Sequence, residues 1–137
     1  MSTVSDIATQ WDNSEETLKK IDEFIKNHLR YDQRFIIIRL VIDKVQDHQG
    51  IELVNTLARL NEEFRRNIRV TDFVAQIKEL EYLFLIRCPT QENDSAIVRR
   101  LSRMVCDNST GKCIGRTFYT CHNIGDDVTA LIERIMH

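Results

Sequence analysis

Apolar side chains recur at helical spacing along most of this chain. In the first such segment, the apolar positions of residues 18–29 fall on one helical face, and Asn13 or Ser14 can cap its start. The same spacing recurs in later segments, namely residues 51–64, 73–84, 97–105 and 128–135. This pattern predicts amphipathic helices, each with one face directed at a shared core.

Residues 35–42 are almost continuously apolar and contain five β-branched side chains. This composition is locally typical of a buried strand. However, no turn residue follows until Gly50, and a run of that length favours a helix that is buried nearly all round. We expect Ile37, Leu40 and Val41 to lie in the core.

The second half of the chain contains the clearest breaks in the helical pattern. Pro89, the only proline, ends the element before it, because proline lacks an amide hydrogen and disfavours helix in the preceding residue. Residues 113–120 follow a polar turn and are rich in β-branched and aromatic side chains, so they are predicted to be extended.

The predicted fold class is mainly α, with a single compact bundle of five or six helices and a short extended segment or hairpin near residues 112–121. The alternative is an α+β fold with strands near residues 35–42, 82–86 and 113–120. Residues 1–13 are predicted to be a flexible lead-in, and residues 14–137 a single helical domain.

The composition fits one small globular domain. The chain has 137 residues, of which 42% are hydrophobic and 29% charged, with a formal net charge of −2. These values exclude a wholly disordered chain. Only five residues are glycine or proline, which disfavours sandwiches and barrels because their many turns need both.

The chain shows no targeting or membrane-spanning pattern. Its first residues contain no basic region followed by an apolar stretch, so we expect no secretory signal peptide. The longest apolar stretch, residues 35–42, contains Arg39 and is far shorter than the roughly 20 residues of a spanning helix. We therefore expect an intracellular protein, cytoplasmic or nuclear, with reduced cysteines and no membrane partner.

Three cysteines and one histidine near the C-terminus are the candidate metal ligands: Cys106, Cys113, Cys121 and His122. Zinc sites usually contain closely paired ligands such as C-x2-C, whereas six and seven residues separate these cysteines. A zinc site is therefore a minor option. The favoured interpretation is that these are ordinary thiols, and we expect no metal and no cofactor.

The sequence contains none of the common motifs of phosphate-binding loops, dinucleotide-binding folds, hydrolase nucleophile elbows or zinc proteases. Cys121 and His122 are neighbours, but adjacent residues on a strand point to opposite faces and cannot pair directly as nucleophile and base. We predict that the protein is not an enzyme. A zinc- or thiol-dependent enzyme is the weakest hypothesis.

The basic residues of the C-terminal half form the only cluster whose charge departs from the chain average. Between Ser95 and Gly125 there are five basic residues and one acidic residue. The five are Arg99, Arg100, Arg103, Lys112 and Arg116. Arginine suits carboxylate and phosphate groups, so these residues are the predicted binding surface for an acidic partner or for nucleic acid.

These patterns predict a non-enzymatic protein–protein interaction module, an adaptor or regulatory subunit. The dense apolar content of residues 35–42 supplies a face that can pack on another subunit, so we expect self-association as a homodimer. The alternative is a nucleic-acid-binding protein that uses the arginine-rich C-terminal patch. The acidic balance of the whole chain argues against that alternative.

Overall fold

The computed structural model describes residues 10–45 and 48–136, which form four α-helices and four β-strands. Residues 1–9 of the predicted lead-in lie outside this described part. The helices are α1 (Ser14–Tyr31), α2 (Gly50–Asn67), α3 (Asp94–Asn108) and α4 (Val128–Ile135). The strands are β1 (Phe35–Lys44), β2 (Phe73–Lys78), β3 (Glu81–Arg87) and β4 (Cys113–Cys121), and a 3-10 turn (Gln91–Asn93) precedes α3.

The four strands form one antiparallel sheet in the order β2–β3–β1–β4. β1 therefore lies inside the sheet and pairs with β3 on one side and β4 on the other. β2 and β4 are the two edges. Along the chain, α2 connects β1 to β2, and α3 connects β3 to β4.

The mainly α bundle predicted from the sequence is wrong, and the structure has the α+β arrangement kept as the alternative. Helices cover both faces of the sheet, so residues 35–42 are apolar on both sides and show no alternation along the strand. The absence of a turn residue before Gly50 favours a helix, but hydrogen bonding of β1 to a strand on each side stabilises the extended conformation instead.

The helix predicted over residues 73–84 is also wrong, because this segment is the β2–β3 hairpin. Its turn contains Glu79 and Leu80 rather than the glycine, asparagine or aspartate that usually marks a hairpin. The apolar spacing matches a helix by coincidence, since Ile77 and Phe84 are buried on opposite faces of the sheet. The extended segment predicted over residues 113–120 is confirmed as β4.

The sheet separates two apolar cores. α2 and α3 cover one face, where Val105 belongs to the same cluster as Leu40. α1 and α4 cover the other face, where Ile132 clusters with Ile37. The predicted burial of Ile37 and Leu40 is confirmed, whereas Val41 is only half-buried because its strand neighbours on that face are charged.

Candidate functional site

The five basic residues predicted as a binding surface occupy different parts of the fold. Arg99, Arg100 and Arg103 are exposed on α3, and we call them the α3 arginine row. Lys112 lies in the turn before β4, and Arg116 lies on β4. Arg116 faces the side of the sheet covered by α1 and α4, whereas α3 covers the opposite side. The structure therefore does not bring all five side chains onto one surface.

Two of these five cations already have acidic partners. The Nζ atom of Lys112 lies 3.0 Å from Oε2 of Glu52, and this ammonium lowers the pKa of the glutamate. The Nε atom of Arg116 lies 2.9 Å from Oδ2 of Asp43. Because each charge is balanced locally, Lys112 and Arg116 add little net positive potential for a partner.

The positive charges of the α3 arginine row are not neutralised by any acidic side chain among the described residues. In the part of the chain that the structure describes, Arg99 and Arg103 form no ion pair and no hydrogen bond through their side chains. Arg100 donates a hydrogen bond to Oδ1 of Asn67 at the end of α2, which orients its guanidinium without neutralising it. Residues three and four apart are neighbours on a helix, so the three guanidinium groups form one cationic strip.

A cleft of about 460 Å³ opens beside this row, between the ends of α2 and β3 and the first two turns of α3. Ile86, Ile97 and Leu101 supply apolar lining, and Arg69 and Arg100 supply positive charge. We call it the arginine cleft. Its other lining residues are Asn67, Ile68, Asp72, Arg87, Cys88, Pro89, Asn93 and Ala96.

Arg69 is held in the cleft by the buried carboxylate of Asp72. One carboxylate oxygen, Oδ2, accepts hydrogen bonds from the backbone N–H of Arg69 (3.1 Å) and from its Nε (3.2 Å), and the other accepts from the backbone N–H of Arg87 (3.0 Å). Arg69 also donates to the carbonyl oxygen of Arg87. The side chain of Asp72 is 3% exposed and that of Arg69 is 60% exposed, so an anchored guanidinium reaches solvent.

A second ion pair fixes the two walls of the cleft. Arg34, just before β1, donates from Nη1 (2.9 Å) and Nη2 (2.5 Å) to the two carboxylate oxygens of Asp94, the first residue of α3. It also donates to the carbonyl oxygen of Cys88. Burial alone would raise the pKa of Asp94, but the hydrogen bonds from Arg34 and Cys88 and the charge of Arg34 together outweigh it and hold that pKa below its ordinary value. The start of α3 is thereby tied to the end of β3.

The arrangement suits a ligand that carries both negative charge and an apolar group. Arg69 and Arg100 are oriented by their own hydrogen bonds, and an oriented guanidinium binds carboxylate or phosphate with little further loss of entropy. The apolar lining beside them can accommodate a hydrocarbon side chain or a planar ring.

The candidate metal ligands do not converge. Cys113 is buried, Cys106 is exposed and Cys121 is partly buried, and all are free thiols. Burial raises the pKa of the Cys113 thiol. His122 is buried with Nδ1 2.7 Å from Nδ1 of His28 and Nε2 3.0 Å from the carbonyl oxygen of Asp126. Across residues 10–45 and 48–136, no three histidine, cysteine or acidic side chains are grouped so that they could hold a metal.

The described helices include none that is long and apolar enough to cross a membrane. No family model matches the sequence, and no curated protein matches it.

Solved structures of similar fold do exist. A microbial GGDEF domain, solved in a study of its interaction with bis-(3,5)-cyclic di-GMP, matches 90% of this chain and 78% of its own, with 16% identity and a TM-score of 0.74. A sensory box/GGDEF family protein from Caulobacter crescentus matches over 89% and 86%, with 13% identity and a TM-score of 0.71. The diguanylate cyclase SiaD from Pseudomonas aeruginosa, in complex with its activator SiaC, matches over 89% and 51%, with 18% identity and a TM-score of 0.69.

These likenesses correct two earlier expectations. The neighbours are α+β domains and not helical bundles, and nothing in them supports nucleic-acid binding, which was the alternative prediction for the basic patch. At 13–18% identity they establish the fold alone. The chain has a GGDEF-like α+β fold.

Proposed function

We propose that this protein is a non-enzymatic regulatory module that binds an acidic segment of a partner protein at the α3 arginine row and the arginine cleft. The observation that carries the proposal is the exposed, unpaired state of Arg99 and Arg103 among the described residues, next to Arg100 in the cleft. Arginine is enriched at protein interfaces because its planar fork matches carboxylates. The apolar lining gives the same segment a pocket for one anchoring side chain.

Complex formation by a related fold supports a protein partner. The SiaD structure contains an activator protein bound to a chain in which this fold makes up about half of the length. A GGDEF-like fold therefore occurs in a protein that is regulated by association. The acidic character of the partner proposed here comes from the arginines of this chain and not from that comparison.

The ionisation of the carboxyl groups supports a non-enzymatic role. Lys112 lowers the pKa of Glu52. For Asp94 and Asp126 burial raises the pKa, but several hydrogen bonds and nearby charges together, with those from Arg34 and Arg134 the strongest hydrogen bonds, outweigh it and lower the pKa. Carboxyl groups of this kind stay ionised near neutral pH and are poor general acids. The sequence also has no two adjacent glycines, so the residues that the letters GGDEF spell do not occur in it.

Charge reversal tests the proposed surface. We expect the variant with Arg99→Glu and Arg103→Glu to lose a partner that the wild-type protein captures from extract of its native host after nuclease treatment. The matched control is Arg66→Glu, because Arg66 is an exposed arginine on α2 outside the cleft. Capture of the same partner by the reversed variant and the wild type would contradict the proposed surface.

A second candidate function rests on the cleft alone. Its two oriented guanidinium groups and its apolar lining match the phosphates and planar bases of a cyclic dinucleotide, and one neighbour was solved in a study of its interaction with bis-(3,5)-cyclic di-GMP. Such a ligand would make the module responsive to a small molecule. It would use Arg69 and Arg100, which line the cleft, and not Arg103, which does not.

Calorimetric titration with bis-(3,5)-cyclic di-GMP separates the two candidates. If the cleft is a nucleotide site, we expect Arg69→Glu and Arg100→Glu each to weaken binding about tenfold or more, equivalent to about 1.4 kcal/mol. Arg103→Glu should leave this binding unchanged while it weakens capture of a protein partner. No heat of binding at millimolar ligand would eliminate the nucleotide candidate.

We include self-association and a cytoplasmic location in the proposal. The four free cysteines suit a reducing compartment. A nuclear location has no support from the comparisons. A fluorescent fusion found outside the cytoplasm would contradict the proposed location.

A further inference from the structure

The exposed edge of β4 has backbone groups with which a further strand can form hydrogen bonds. Backbone bonds at both ends of the β1–β4 ladder fix its hydrogen-bonding pattern: Val45 donates to the carbonyl of Lys112 (2.9 Å) and His122 donates to that of Phe35 (3.2 Å). In an antiparallel pair such bonded positions recur at every second residue. The even-numbered residues of β4 therefore direct their backbone groups at β1, and the odd-numbered residues direct theirs away from the sheet.

At the start of β4, the backbone groups directed away from the sheet already have hydrogen-bond partners. The hydroxyl of Ser109 bonds with both the N–H (2.9 Å) and the carbonyl (3.3 Å) of Cys113, and the hydroxyl of Ser102 donates to the carbonyl of Gly115 (2.5 Å). The outward backbone groups of Thr117 and Tyr119 have no such partner among the described residues. The middle of β4 thus presents two N–H and two C=O groups without an intramolecular bond.

The opposite edge of the sheet is protected. β2 has six residues, and the strand pairing is irregular between Gln76 and Lys78. The chain before α1 crosses this edge, where the N–H of Asp12 donates to the carbonyl of Ile77 (2.7 Å). Irregular pairing, a lysine and a covering segment are the usual defences of an edge strand, and β4 has none of them in its middle.

We propose that β4 pairs with the β4 strand of a second copy of this chain, antiparallel and related by a two-fold axis through Phe118. In this register Thr117 of each copy faces Tyr119 of the other, and all eight unbonded backbone groups are satisfied by four reciprocal hydrogen bonds. Phe118 faces Phe118 of the second copy at a non-hydrogen-bonded position, where opposing side chains are closest. The sheets of the two copies then form one continuous eight-stranded sheet.

The charge and exposure of β4 favour an identical copy as the occupant. Its only charged side chain, Arg116, is paired with Asp43, so two copies bring no unbalanced like charges together within the paired strands. Tyr119 and Ile114 are large and exposed, at 43% and 48%, on the strand that a second copy would cover. This inference specifies the surface for the self-association in the proposed function and is independent of the arginine surface.

The inference is tested by mass measurement in solution together with amide hydrogen exchange. We expect sedimentation velocity of the wild-type chain to show a rise from one to two copies as concentration increases. Tyr119→Lys places a charge on the edge and should raise the dimer dissociation constant about tenfold or more. Ile124→Lys is the matched control, because Ile124 is an exposed apolar residue (85%) beyond the end of β4.

Amide exchange rates of the wild-type chain locate the contact between the two copies, so this test does not depend on a variant that folds. In the wild-type chain, the amides of Thr117 and Tyr119 should become more protected as the dimer forms, while exposed amides elsewhere stay unchanged. A single-copy mass at every concentration would overturn the inference. So would a dimer in which these two amides exchange as fast as in the monomer. A single-copy mass would also remove self-association from the proposed function, whereas neither result bears on partner capture by the α3 arginine row.

Discussion

His28 and His122 form a hydrogen-bonded pair that joins the last turn of α1 to the loop after β4. The Nε2 atom of His122 faces the carbonyl oxygen of Asp126, which can only accept, so we assign a proton to this nitrogen. Neutral His122 then has an unprotonated Nδ1, and His28 donates to it from its own Nδ1.

This pair predicts a loss of stability in mild acid. Burial lowers the pKa of His28 below its ordinary value of 6.5, and charge on His122 and Arg34 adds to this effect while Asp32 opposes it. The unfolded chain then binds a proton more readily than the folded one, so the free energy of unfolding should fall as pH drops below about 6.5. His28→Gln keeps a donor but cannot ionise, and it should lose less stability between pH 7.5 and 5.5 in urea unfolding. Equal losses in the two proteins would contradict this assignment.

Leu40 and Val41 are adjacent on β1 but differ in their surroundings, which makes them a matched pair. Leu40 is fully buried between the sheet and the helices α2 and α3, and Val41 is half-buried beside charged strand neighbours. Leu40→Ala should lower the free energy of unfolding by about 2–5 kcal/mol, because the surrounding core cannot close the cavity fully. Val41→Ala should cost clearly less in the same denaturant titration. Similar losses of unfolding free energy in the two variants would contradict the difference in burial assigned to Leu40 and Val41.

At the scale of elements, the apolar pattern predicts the helices well and the strands poorly. α1, α2, α3 and α4 each have one apolar face, and each was predicted as a helix from that face. β1 and β3 are apolar on both faces because helices cover both sides of the sheet, and a continuous apolar run does not separate strand from buried helix. Whether such a run forms a strand or a helix depends on its pairing with distant segments of the chain, and no local sequence pattern shows that pairing.

The buried ion pair between Arg34 and Asp94 predicts how strongly α3 is tied to the sheet. The two side chains are only 18% and 7% exposed, so Asp94→Asn leaves a largely buried guanidinium without its counter-charge. We expect a loss of about 3 kcal/mol in the free energy of unfolding. The control is Glu62→Gln, which breaks the exposed pair of Glu62 with Arg66 and should cost less than about 1 kcal/mol. Equal losses in thermal or chemical unfolding would refute this role for Asp94.

The arginine cleft shows why the sequence indicated only part of the candidate site. Its charge on α3 was visible as a local excess of arginine, and Arg100 was predicted on that basis. Arg69 was missed because it is one cation among many, and nothing in the sequence distinguishes its anchor Asp72 from the other acidic residues. Asn67 and Arg100 meet although 33 positions separate them. The topology of the whole molecule therefore assembles the site.

At the scale of the whole molecule, a single sheet lies between two apolar cores, so we expect the two faces to unfold together. Trp11, the only tryptophan, is buried on the face covered by α1 and α4, whereas Leu40 is buried on the opposite face. In a two-state domain, a cavity on one face destabilises the whole structure. Leu40→Ala should therefore lower the midpoint of thermal unfolding by the same amount in Trp11 fluorescence and in far-ultraviolet circular dichroism, roughly 3–5 °C per kcal/mol.

The matched control for this experiment is Val70→Ala, because Val70 is fully exposed and its truncation should move neither midpoint. β1 supplies side chains to both cores, and its backbone bonds to β3 and β4 cannot break on one face alone. That physical link is the reason to expect one transition. A Leu40→Ala protein whose Trp11 midpoint stays at the wild-type value while the circular dichroism midpoint falls would mean that α1 and α4 hold their face of the sheet independently.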